Sequence, residues 1–430
     1  MKSGIKGFAV MICILTAGCI DYGYFGLSDE ANILSFDVEG QLSNVIIVGE
    51  KDAVGEVNIT VPTLYDMESL TITKAACTQL AQFTTDPYAL TDFSQPIELT
   101  LIAEDTTVRK KWRITVTSST APVQLPFSDM KQWTVAKDDN KKEITYTEGG
   151  VLKYACFPGN GVALSPWQSS AQANASSLSG INTMTTTPQP TVSTAEYARI
   201  ETIHVTTGQA TYADAQVVTG ALFTGKFLFE LSFAPKIGTG EPRKMLNAGV
   251  PFAGRPLSAV VKVRYRPGSV MMDGSGTPIT ESNAGGRPLR DSCEIYVLLH
   301  NRYAEKDRYI RVAAAHWRTG APVGNMEDDA AGFEEITIPF VYGEPDAAVL
   351  AEKPYAKIGG QRGELTFYRF PVDKASRPVT EVYDTEGIPA SHITVLFSSS
   401  AYGDFFWGAV NPTGALRGST LDIKDFRLTY

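Results

Sequence analysis

Histidine and cysteine are scarce: four and five in 430 residues. Four histidines, dispersed at 204, 300, 316 and 392, argue against a multi-histidine metal centre. Cys77, Cys156 and Cys293 lie too far apart for a CxxC metal site or a disulfide framework, leaving a Cys156–Cys293 pair or buried free thiols. Basic residues are not in excess either. Lys and Arg number 38 against 47 Asp and Glu, a net charge of −9, so composition provides no basic face for nucleic acid. No apolar run reaches the ~20 residues of a membrane-spanning helix. Long helical periodicity is missing, as are GxSxG, Walker, HExxH and helix-opening GxGxxG motifs. What remains is a chain with 43% hydrophobic residues, too apolar for wholesale disorder and long enough for two or three domains.

The first residues carry an address. Lys2 and Lys6 precede the mainly apolar run from Gly7 to Ala17, followed by Leu15-Thr16-Ala17-Gly18-Cys19. A positive start, a short apolar stretch and small residues before a cysteine follow the order of a secretory signal. The last five residues resemble the lipobox of bacterial lipoproteins. That resemblance implies a signal peptide over 1–18, diacylglycerol on Cys19, a tether over 19–30 and anchorage in a membrane by acyl chains, each buried methylene contributing ~0.8 kcal/mol. Ile20 is not the Asp that marks retention in enteric lipoproteins, which points to the outer membrane, facing either the periplasm or the exterior.

The body reads as all-β. In 31–117, Val57, Ile59 and Val61, then Ile97, Leu99 and Leu101, then Trp112, Ile114 and Val116 alternate with polar residues, so each strand has one buried and one wet face. Such a short, strand-dense segment predicts an Ig-like β-sandwich acting as a spacer. It resembles Ig-like modules of Bacteroidetes surface lipoproteins through 92–96, 99–105 and 112–117. Residues 118–122, with Ser118, Ser119 and Pro122, form a linker. From 123 to 430, strands are expected at 143–147, 197–202, 222–231, 257–265, 293–300, 310–315, 335–341, 393–398 and 421–430. That density, with long connections, predicts a larger β-jelly-roll sandwich. The Ser/Thr/Ala/Asn-rich stretch 168–194 is expected to wander over the surface, and 273–286 to be a loop.

Several stretches together carry a further resemblance: Glu196-Tyr197-Ala198-Arg199-Ile200-Glu201-Thr202, the run Gly220 to Phe227, Gly249-Val250-Pro251-Phe252, Asp291-Ser292-Cys293-Glu294-Ile295-Tyr296, and Phe397-Ser398-Ser399-Ser400 with Gly403, Gly408, Gly418, Leu421 and Asp425-Phe426. From about 123 to the C-terminus the chain resembles the PCMD family of Bacteroidetes lipoproteins. The family implies a jelly-roll and a role in glycan binding or processing. Adjacent acidic residues often mark its closing strand. Here Asp422 and Asp425 flank Ile423 and Lys424, leaving them weak candidates for calcium; no other cofactor is expected.

A sugar offers flat C–H faces and a rim of hydroxyls, so its site combines aromatic rings with carboxylates, amides and arginines. Tyr402-Gly403-Asp404-Phe405-Phe406-Trp407 supplies both kinds within one predicted loop. Tyr402, Asp404 and Trp407 are therefore glycan-binding candidates, with Trp167 and Trp317 as further exposed rings and Glu294 on a strand. Phe405 and Phe406 fit a core equally well. No pair of carboxylates with glycosidase spacing is recognisable. Three functions compete: a surface lipoprotein that captures polysaccharide, an adhesive or structural surface protein with protein partners, and a glycoside hydrolase.

Overall fold

A computed structural model describes residues 27–50, 53–62, 67–119, 124–137, 141–148, 151–161, 165–170, 184–205, 216–227, 242–305, 308–327, 331–359, 365–403, 407–411 and 417–430. The signal segment, Cys19 and Asp404 lie outside these ranges, as do Phe405 and Phe406. No helix among the described residues is long and apolar enough to cross a membrane. The chain forms two compact units. The smaller falls within 1–38, 44–59 and 67–116; the larger comprises 117–430 with the segments 39–43 and 60–66.

In the smaller unit, the strands Ser43–Ile47, Gly55–Pro62, Arg109–Ser119, Ile97–Ile102 and Gln82–Phe83 form a five-stranded sheet, and Ile33–Val38 pairs with Ile72–Cys77. The alternation read from the sequence sets its faces. Val57, Ile59, Val61, Leu99, Leu101, Trp112 and Ile114 are buried, whereas Glu98 is exposed beside Lys111 and Arg113. Trp112 lies across Gly55, where any Cβ would come within 2.6 Å of the indole, and its Nε1 donates to the Ala31 carbonyl at 3.1 Å.

The larger unit is a β-sandwich. Its first sheet runs Trp167–Ser169, Ala221–Phe227, His392–Ser398, Cys293–Asn301, Arg308–Thr319, Val341–Tyr342. The second runs Thr186–Gln189, Tyr197–His204, Arg417–Thr429, Ser258–Arg266, Glu334–Pro339. Pairing along both orders is antiparallel; Thr380–Tyr383 adds a parallel strand beside Arg308–Thr319. The sheets share one core. Ile295, Val297, Leu299, Val395 and Phe397 from the first meet Ile200, Val261, Val263, Leu421 and Ile423 from the second.

The first sheet is also covered on its other side. Tyr296, Leu298, Leu396 and Phe223 pack there against Tyr309, Leu365 and Phe367. Cys293–Asn301 is therefore buried along nearly its whole length, as a strand with two covered faces must be. Cys156 and Cys293 are both buried and both free, so no disulfide joins them.

One expectation fails at the ends of its stretch. Of 168–194, residues 171–183 lie outside the described residues, but Trp167–Ser169 pairs with Ala221–Phe227, and Thr186–Gln189 pairs with Tyr197–His204. Ser169, Thr185 and Thr186 are buried because the pairing and hydroxyl bonds satisfy their polar atoms, including Ser169 Oγ to the Cys156 carbonyl at 2.7 Å.

Candidate functional site

Antiparallel register assembles the site. Glu294 lies opposite Arg318 and Tyr296 opposite His316, which puts all four on the covered side of the first sheet. Arg318 Nη2 donates to Glu294 Oε2 at 2.5 Å, and His316 Nε2 lies 3.5 Å from the same oxygen. The His316 ring stacks on Tyr296 at 4.1 Å and meets Tyr355 at 5.3 Å. Burial lowers the His316 pKa against the pull of Glu294, keeping the imidazole neutral near pH 7. Burial also opposes the charge on Arg318, but the Glu294 carboxylate more than offsets it and the pKa rises.

From Arg318 the arrangement continues outward. Its guanidinium lies over the Tyr402 ring at 5.6 Å, Tyr402 faces Trp407 at 6.4 Å with planes 38° apart, and Arg287 lies over Trp407 at 5.9 Å. Asp273 holds Arg287 at 3.1 Å. Tyr402 and Trp407 are half-buried, packed beside Met271, Ile279 and Ala409. Three of the sequence candidates, Glu294, Tyr402 and Trp407, thus come together through two arginines.

The loop carrying the rings is pinned at both feet to one carboxylate. Asp291 accepts from Ser400 Oγ at 2.6 Å before the loop and from the Ala409 N–H at 3.0 Å after it, as well as from Ser419 Oγ and the Ser292 N–H. Burial pushes the Asp291 pKa up to about 6 in spite of these four bonds.

The remaining candidates do other work. Trp167 presents no face to a ligand: it is fully buried between Phe397 and Phe426, both at 6.0 Å, with Nε1 bonded to the Pro126 carbonyl at 2.9 Å. Trp317 lies opposite Ile295 and packs half-buried against the sandwich core, on the side away from Glu294. Asp422, a weak calcium candidate in the sequence, is engaged by two arginines in the structure. Its buried carboxylate is taken up by Arg199, with Nε and Nη2 each at 2.9 Å, and by Arg264 Nε at 2.8 Å. Asp425 pairs instead with Lys262 at 2.9 Å. Among the described residues, no group of three or more His, Cys, Asp or Glu is placed to hold a metal ion.

The sequence reading missed a second feature, a cleft of about 710 Å³ elsewhere in the larger unit. Arg302, His392, Lys137, Lys226, Gln168 and Phe157 are among its lining residues, and among the described residues no Asp or Glu lines it. Its volume falls within the range of ligand pockets. Gly249 contributes to the lining at φ +94°, where a Cβ would come within 2.5 Å of Arg302 Nη2. No local motif announces this cleft, since its residues come from segments scattered between 134 and 392.

Two solved structures are similar over most of their own length. One is a "putative glycoside hydrolase" from Bacteroides thetaiotaomicron, 20% identical, covering 94% of this chain and 97% of its own, with a TM-score of 0.40. The other is a "putative glycoside hydrolase" from Bacteroides vulgatus, 16% identical, covering 72% of this chain and 98% of its own, with a TM-score of 0.38. No curated protein matches. Residues 131–429 match the PCMD family, "Putative carbohydrate metabolism domain", and the chain belongs to that family.

Proposed function

We propose that this chain captures carbohydrate at a membrane surface, anchored through a lipidated Cys19 in the outer membrane and binding glycan at the Tyr402–Trp407 ring pair. The observation that carries this reading is the pair of neighbouring half-buried rings between Arg318 and Arg287. Rings stack on pyranose C–H faces, and guanidinium N–H groups donate to hydroxyls. Binding is favoured over hydrolysis because the buried carboxylates nearest in character to a catalytic pair are each tied to arginine: Glu294 to Arg318, Glu201 to Arg417 and Asp422 to Arg199 and Arg264.

The magnitudes suit an anchored binder. One ring covering ~150 Å² contributes about 4 kcal/mol, while association itself costs at least ~4 kcal/mol. Two rings with polar contacts then reach roughly millimolar to micromolar affinity. Many copies on one membrane engaging one polymer raise the avidity well above this.

The test is gel retardation on immobilised neutral polysaccharides. Trp407→Ala and Tyr402→Ala should each weaken retardation at least tenfold, a loss of ~1.4 kcal/mol or more out of the ~4 kcal/mol that one ring contributes. Retardation unchanged in both variants would remove the ring pair from the site. The anchor is read separately: labelled palmitate should enter the wild-type protein and not Cys19→Ser, and equal labelling would move the lipid elsewhere.

A further inference from the structure

The cleft carries a charge pattern at odds with the rest of the chain. The protein has a net charge of −9, yet this cavity is lined by Lys137, Lys226 and Arg302, with no carboxylate among the described residues that line it. Lys137 and Lys226 are exposed. Arg302 is different in kind: only 8% of its surface is open to solvent.

A buried guanidinium ordinarily meets a carboxylate, as Arg264 meets Asp422 and Arg311 meets Glu381. Among the described residues Arg302 has no carboxylate at ion-pair distance; Glu381, whose charge reaches it from further off, is already engaged by Arg311 and His300. Its Nη2 donates to the Ala248 carbonyl at 2.8 Å and to Thr394 Oγ1 at 3.2 Å, its plane lies over Tyr309 at 4.7 Å, and its Nε is left without an acceptor. One carbonyl, one hydroxyl and a ring, all neutral, hold the group in place. Beside it, His392 is fixed through Nδ1 by Ser391 Oγ at 2.9 Å, and burial holds its pKa well below the usual value, so it serves as a neutral polar group. Gln168 and Asn247 add side-chain amides able to reach hydroxyls, and Phe157 adds an apolar face.

From this arrangement we infer that the cleft is a binding site for a saccharide bearing an oxyanion, with the anionic group at Arg302 and the Lys137 and Lys226 ammoniums attracting it from the rim. A planar carboxylate or a sulfate on a sugar ring supplies a counter-charge at contact distance from Arg302, and the amides and Phe157 address the ring itself. The site is separate from the Tyr402–Trp407 pair; it rests on the carbohydrate reading only for the class of ligand.

The experiment is calorimetric titration with three soluble trisaccharides: one carrying uronic carboxylates, one carrying sulfates and one neutral, all at low ionic strength. At least one anionic trisaccharide should bind, about tenfold or more tighter than the neutral one, and the arm that binds names the oxyanion. Lys226→Glu and Lys137→Glu, both exposed and safe for folding, should each lower that affinity about tenfold, and their combination should abolish measurable binding. Raising salt to roughly 0.5 M should weaken the wild type toward the neutral level. Equal binding of the neutral trisaccharide would overturn the inference, as would an affinity unchanged in the double variant. Acetate or sulfate binding as tightly as its trisaccharide would overturn the saccharide part. Because this assay uses soluble acidic probes on cleft variants, and the ring-pair assay uses neutral polymers on ring variants, either can fail without the other.

Discussion

Asp422→Ala should destabilise the larger unit by about 3–5 kcal/mol, the usual penalty when one member of a buried ion pair is removed. Asp422 sits on Arg417–Thr429 in register with Arg199 on one neighbouring strand and Arg264 on the other. Both guanidiniums converge on a carboxylate that is fully buried, and Arg264 is itself fully buried with its plane over Tyr197 at 4.7 Å and Phe333 at 4.5 Å. Removing the carboxylate leaves Arg264 a buried cation deprived of its counter-charge. Asp422→Asn preserves the shape but not the charge, and should recover only a minor part of the loss. Urea unfolding followed by circular dichroism reads the effect, and added calcium should rescue neither variant. A change below about 1 kcal/mol in Asp422→Ala would mean that the guanidiniums find other acceptors at little cost.

Trp167→Ala should be comparably severe, at about 3–5 kcal/mol, for a different reason: it empties a space in the core instead of uncovering a charge. The indole is fully enclosed by Phe397 and Phe426, and its N–H is bonded to Pro126. The same unfolding measurement checks it. Polysaccharide retardation by the folded fraction of Trp167→Ala should match wild type, whereas loss of retardation without loss of stability would return this ring to the glycan site. The contrast with Trp407→Ala, where binding falls and stability changes less, separates the two tryptophans by function.

Those tryptophans also show where sequence reasoning stops. The long strands of the sandwich were legible because each buries apolar residues in a regular pattern. The stretch expected at 293–300 is Cys293–Asn301, that at 257–265 is Ser258–Arg266, and that at 393–398 is His392–Ser398. Short strands were not legible. Trp167–Ser169 is three residues long and has too few positions to show a period, so a core indole beside a polar stretch read as an exposed ring. Trp317 was misread because it follows the apolar run of its strand, although Arg308–Thr319 extends past it.

The site was legible in part. Tyr402 and Trp407 stand out by residue type, and Glu294 by its place in a strand. For Glu294 an ion pair with an arginine was the plainer expectation, but the arginine went unnamed, although pairing the 293–300 strand with the next one brings Glu294 opposite Arg318. Arg302 and the cleft lay beyond it. Its lining depends on the meeting of Gly225, Gly249 and His392 from distant segments, and no local spacing encodes that meeting.

The clamp at Asp291 has an evolutionary consequence. Because Ser400 and Ala409 are tied to the same buried carboxylate, the anchor points of the intervening loop are set by the sandwich and not by the loop's own tip. The feet themselves tolerate little change, since a Cβ at Gly403 would come within 2.7 Å of Thr219 and one at Gly408 within 2.9 Å of Thr202, so variation is confined to the residues between them. On the glycan-binding reading proposed above, a new preference would then be written in those few codons, at little cost to the stability of the domain.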